Sequence, residues 1–151
     1  MDYDISIEDI SHHHAAVVTA TLAVADIGAF MGEAFGEVLA ALAEQGLQPV
    51  GPPFGRYEPV ADQMIVEAGF PCSGKVTASG RVEPTKLPGG PTATTVHHGP
   101  YDQVGQAYDA VVAWVAASPY QISGKPWESY LDGPEVAEPR TVVRFPCHLV
   151  E

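Results

Sequence analysis

The chain has 151 residues, 46% of them hydrophobic and 17% charged, which predicts one globular domain (1–151) whose core needs no metal or disulfide staple. Seven Lys and Arg stand against 19 Asp and Glu, a formal net charge of −12 with no basic run, which argues against nucleic-acid, anionic-ligand and anionic-membrane partners and leaves cationic or neutral small molecules. Two cysteines, an acidic N-terminus and a longest apolar stretch of only 15–25 exclude a disulfide-dense scaffold and a span of about 20 residues, and predict a cytoplasmic protein with reduced thiols.

In chain order, a short strand is predicted over 6–10 and a β-branched strand over 17–22,. A helix follows over 27–45, with apolar residues Phe35, Val38 and Leu42 at spacings of three and four and Gly46 as its stop,. A short strand carries the element Phe54-x-x-Tyr57, and another runs over 63–68. Residues 75–83 are expected to link two halves as the opening strand of the second, and Leu87-Pro88-Gly89-Gly90-Pro91 to form a turn,. Then come a strand over 92–96, a helix over 101–117 ended by Pro119, a short strand with Trp127-Glu128-Ser129-Tyr130, and a strand over 140–145,.

The second run of elements repeats the first. An offset of 73 residues lays 19–57 on 92–130 with 12 identities in 39 ungapped positions, among them Ala34 on Ala107, Val38 on Val111 and Tyr57 on Tyr130. After a two-residue insertion, Phe70-Pro71-Cys72 meets Phe145-Pro146-Cys147 at an offset of 75. The pattern predicts an α+β fold of tandem β-α-β-β units, with repeats near 6–73 and 75–150. It further predicts an antiparallel sheet with both main helices on one face and a central groove as the default ligand site.

Positions that break the repeat are released from the shared packing problem. The sharpest is Gly55 against Glu128. Alternation along a strand puts Glu128 and Tyr130 on one face and Trp127 and Ser129 on the other. A carboxylate among aromatic side chains is costly to desolvate unless a cation or donors pair with it, and a cationic aromatic ligand would satisfy the acid and stack on the rings. The second break is His97-His98-Gly99-Pro100-Tyr101-Asp102, which is expected to start the helix and bring Tyr101 to the groove,.

These residues resemble a known family. Leu87-Pro88-Gly89-Gly90, His98-Gly99-Pro100-Tyr101-Asp102, Ala107-Tyr108 with Trp114, and Trp127-Glu128-Ser129-Tyr130 are together similar to the GyrI-like effector-binding domain, the ligand-sensing half of BmrR/Rob-type transcription regulators. The resemblance covers essentially the whole chain and is most specific in the second half. It implies an SHS2-like fold of two β-α-β-β units and a pocket in which Glu128 pairs with lipophilic cations. Tyr130, Tyr101 and Trp127 would be pocket aromatics, with Tyr57 and Phe54 as their first-half counterparts. The expectation is a free-standing effector domain that binds amphipathic, cationic small molecules, needs no cofactor and serves sensing, sequestration or drug resistance.

Two other readings stay open. One is hydrolysis of electrophilic natural products, with Glu128 activating water beside Tyr130 or Tyr101. The other is a protein-interaction module of the gyrase-inhibitor type. Likeness in fold alone extends to haem-binding proteins of the SOUL type, against which the Glu-lined pocket argues. The run His12-His13-His14 has no metal-ligand spacing, because neighbouring strand residues face opposite ways,. Cys72 and Cys147 are expected to end equivalent strands as buried thiols.

Overall fold

A computed structural model describes residues 3–133 and 135–150. Its strands and helices are β1 (Ser6–Ile10), β2 (His13–Leu22), α1 (Ile27–Glu44), β3 (Phe54–Val60), β4 (Gln63–Cys72), β5 (Val82–Leu87), β6 (Gly90–His98), α2 (Gly105–Ala116), β7 (Tyr120–Ile122), β8 (Trp127–Tyr130) and β9 (Arg140–Leu149). Among the described residues no helix is long and apolar enough to cross a membrane.

The chain divides into two compact units, one of residues 12–87 and one that joins the residues up to 11 with those from 88 onward. In the first, the antiparallel order is β3-β4-β2-β5. Helix α1 turns Ala34, Val38 and Leu42 onto Ala16 and Val18 of β2 and Val66 and Ala68 of β4, the spacing a helix needs to bury one stripe. It ends in a Schellman motif: Gly46 takes φ +69°, the Leu47 N–H donates to the Leu42 carbonyl and the Gly46 N–H to that of Ala43,.

In the second unit the order is β8-β9-β6-β1, with β7 on β9. Helix α2 buries Ala107, Val111 and Val115 against Ala93, Val143 and Phe145. Each unit therefore has the same strand path, and finer details recur. Phe54 pairs with Gly69 as Trp127 pairs with Arg144. The Val50 N–H donates to the Pro71 carbonyl as that of Ser123 does to Pro146. A Cβ on Gly51 would lie 3.1 Å from the Pro71 ring, and one on Gly124 would lie 3.2 Å from Pro146.

Three expectations need correction. The strand placed over 75–83 is β5 at Val82–Leu87, and it pairs with β2 inside the first unit. The second unit takes β1 as its edge strand instead, so the compact units do not follow the limits 6–73 and 75–150. Gly80, at φ +59°, breaks the expected strand, Val76 is drawn into the α1 core, and Pro84 is tolerated because β5 ends the sheet path,. Next, the equivalence of β2 and β6 lies four residues from the sequence offset: the four-residue buried run is Ala15–Val18 in one and Thr92–Thr95 in the other, a separation of 92 − 15 = 77. Finally, the helix expected over 101–117 is shorter. Gly99 at φ +125° and extended Pro100 lead into a 3-10 turn, Tyr101–Gln103, and α2 starts only at Gly105.

Cys72 and Cys147 are buried free thiols, and burial pushes both up from the ordinary thiol value. Cys72 ends β4, whereas Cys147 lies inside β9.

Candidate functional site

Glu128 sits directly across from Val143, on the face of the second unit's sheet that α2 covers. It is only 5% exposed. Tyr130, two residues on along β8, shares that face, and its hydroxyl donates to Glu128 Oε1 at 2.7 Å. The hydroxyl of Tyr108, on α2, donates to Oε2 at 2.5 Å. Tyr101, in the 3-10 turn, meets the Tyr130 ring edge-on with centroids 5.9 Å apart, and its hydroxyl donates to the Asp132 carbonyl at 2.8 Å. The structure thus brings Glu128, Tyr130 and Tyr101 together and adds Tyr108.

Tyr108 was not among the site residues expected from the sequence, although a signal for it existed. Its counterpart is Phe35. Phe35 packs edge-on against Phe70 at 5.7 Å, and Tyr108 packs in the same way against Phe145 at 5.6 Å. The aromatic role repeats, and the hydroxyl occurs only in the half that has Glu128 where the other has Gly55. The carboxylate and one of its donors thus stand in the same unit.

Burial pushes the Glu128 carboxyl above its ordinary value, opposed by the Tyr108 and Tyr130 hydroxyls and by nearby His97,. Burial likewise raises Tyr101, with smaller contributions from Glu135, Asp132 and Glu128. His97 is fully buried. Its Nε2–H donates to the Pro100 carbonyl, which can only accept, at 3.1 Å, and its Nδ1 lies 2.9 Å from the Tyr3 hydroxyl,. The imidazole thereby anchors the turn that presents Tyr101. Tyr108→Phe is expected to raise the Glu128 pKa further and to cost about 1.5–3 kcal/mol where Glu128 is ionised, the worth of a hydrogen bond to a charged group. Carboxyl NMR titration checks the direction, and an unmoved Glu128 pKa would refute it.

The other expected site residues are described by their contacts within their own units. Trp127 is 2% exposed and, by alternation, faces the opposite side from Glu128, across from Arg144,. There Arg144 donates to the Ser129 hydroxyl at 3.3 Å. Phe54 and Tyr57 belong to the first unit. Phe54 is fully buried with the Arg56 guanidinium 5.8 Å from its ring centre, while Tyr57 packs against the α1 core and reaches Met31 Sδ at 3.9 Å. Among the described residues no three His, Cys, Asp or Glu side chains cluster as a metal site.

An α+β domain of two like units, one holding a buried carboxylate between tyrosine hydroxyls, defines the class. The sequence matches the GyrI-like small molecule binding domain over residues 3–147, and the chain belongs to that family. No curated protein matches it. Among solved structures it is similar to the EcmrR C-terminal domain, at 24% identity and a TM-score of 0.81 over 99% of this chain and 100% of that one. EcmrR in its complex with DNA gives 22% identity and a TM-score of 0.82 over 98% of this chain, which spans 58% of that protein. SAV2435 bound to tetraphenylphosphonium gives 13% identity and a TM-score of 0.65 over 98% and 94% of the two chains.

Proposed function

We propose that this domain binds amphipathic cationic small molecules, with Glu128 as their counter-ion and Tyr130, Tyr101 and Tyr108 as its aromatic and hydroxyl surround. One observation carries the reading: Glu128 is buried, and its hydrogen bonds come from two neutral hydroxyls instead of a Lys or Arg. Ionising a desolvated carboxylate is unfavourable, and neutral donors offset only part of that cost. A cation entering the site supplies the missing charge, and tyrosine faces add attraction of about 0.5–2 kcal/mol each. The similarity to SAV2435, whose structure holds the lipophilic cation tetraphenylphosphonium, supports this ligand class. Sensing or sequestration of such compounds is the role the reading implies.

Proton linkage tests it. Because burial raises the Glu128 pKa, the folded protein holds a proton that the unfolded chain releases at lower pH. This group's contribution to stability therefore falls as pH rises from the ordinary carboxylate value through the raised one. A cation binds the ionised form. Affinity for tetraphenylphosphonium should rise with pH until Glu128 is ionised and then level off, with proton release on binding across the rising range. Calorimetry in buffers of different ionisation enthalpy reads both quantities, and pH-independent binding without proton release would overturn the assignment.

A further inference from the structure

Thr141 is fully buried, and among the described residues its Oγ1 has no hydrogen-bond partner. It stands directly across from Tyr130 on one side and from His97 on the other. Directly paired residues of antiparallel strands project to the same face, so Thr141 shares the α2-covered face with Glu128 and Tyr130. Glu128 pairs with Val143, two residues along β9, which makes Thr141 its diagonal neighbour, within reach of a bridging group. Buried hydroxyls are ordinarily paired, and one left unpaired is destabilising. Its diagonal neighbour Glu128 has two carboxylate oxygens that each accept one tyrosine hydroxyl, about half of the four lone-pair positions a carboxylate offers.

We propose that Thr141 is a specificity-determining residue that, with Glu128, selects protonated amines bearing an N–H over quaternary cations. The inference rests on the reading of Glu128 as counter-ion. An ammonium N–H donates to Thr141 Oγ1 while its charge is met by the carboxylate, whereas a quaternary ammonium or phosphonium offers charge without a donor and leaves the hydroxyl unpaired. Tyr130 projects from the position directly opposite Thr141, so in the proposed bound state a shift of the Tyr130 side chain opens the Thr141 hydroxyl to the ligand.

The test uses the full chain and a matched pair of probes: N,N-dimethyl-2-(4-biphenylyl)ethylamine, protonated at neutral pH, and its N-methylated quaternary salt. Thr141→Val keeps the shape and removes the hydroxyl, so its melting temperature should equal or exceed that of the parent. It should bind the protonated amine about tenfold or more weakly while leaving the quaternary salt unchanged, and Thr141→Ser should restore the preference. Equal effects on both probes, or none on either, overturn the proposal. If Glu128→Gln still loses both cations in that case, the counter-ion reading survives. If the parent protein binds neither probe, the counter-ion reading fails and this inference fails with it.

Discussion

Glu128→Gln should lose at least about thirtyfold in affinity for tetraphenylphosphonium, the equivalent of 2 kcal/mol at the lower end of what truncating one member of a buried charge pair costs. The substitution is nearly isosteric, and an amide oxygen still accepts a tyrosine hydroxyl, so the Tyr108 and Tyr130 contacts need not collapse. Stability at neutral pH should hold or rise, because the variant no longer ionises a desolvated group whose pKa burial has raised,. That combination, weaker binding in an equally stable protein, separates a ligand counter-ion from a structural acid. Unchanged affinity would remove the cation reading. The same variant addresses hydrolysis, for which Glu128 would act as general base with a tyrosine assisting. Turnover of an ester or strained-ring electrophile that the variant abolishes would favour an enzyme over a binder.

Gly69→Ala should be among the most damaging single substitutions in the first unit. Gly69 is paired with Val17 on one side and Phe54 on the other, and a Cβ there would overlap the Ala16 backbone carbonyl. Flexible side chains can give way, whereas backbone held in a ladder of paired strands cannot move without loss of register. Overpacking of a core costs about 1–3 kcal/mol and occasionally more, and the backbone contact puts this case at the upper end, about 3 kcal/mol. For a chain of this length that is about 6–12 °C in Tm. Thermal unfolding of the variant decides the matter, and a change under about 1 kcal/mol would show that the strand relaxes freely. The corresponding position of the second unit is Arg144, so the requirement comes from close approach at one site and not from the repeat.

Much of the fold could be read from residue order. The limits of α1 follow from its apolar stripe and Gly46, and β1 falls at the expected 6–10. The equivalence of the two helices follows from Ala34, Val38 and Leu42 recurring as Ala107, Val111 and Val115. These are local signals, carried by periodicity and by punctuation, and each half repeats them. The partners of the edge strands were not legible. Nothing in 82–87 says that it will lie beside β2 and not open the second unit, because an edge strand's pairing is set by which sheet has room for it. Alanine- and threonine-rich strands also match themselves at several offsets, which hid the four-residue shift between β2 and β6.

The site divides in the same way. Composition, repeat and alternation by themselves singled out Glu128 as the acid that the other half lacks and put Tyr130 beside it. They determined an acidic, turn-rich α+β chain with one carboxylate out of keeping with its duplicate. Only the tertiary structure decided what surrounds that carboxylate: Tyr108, from a helix twenty residues away, donates to it, Tyr101 meets the Tyr130 ring as expected but from a 3-10 turn, and Thr141 pairs with Tyr130 and His97. The physical reason is that burial and hydrogen-bond partnership belong to groups brought together across the fold, whereas a sequence pattern reports only which way each side chain points from its own strand or helix.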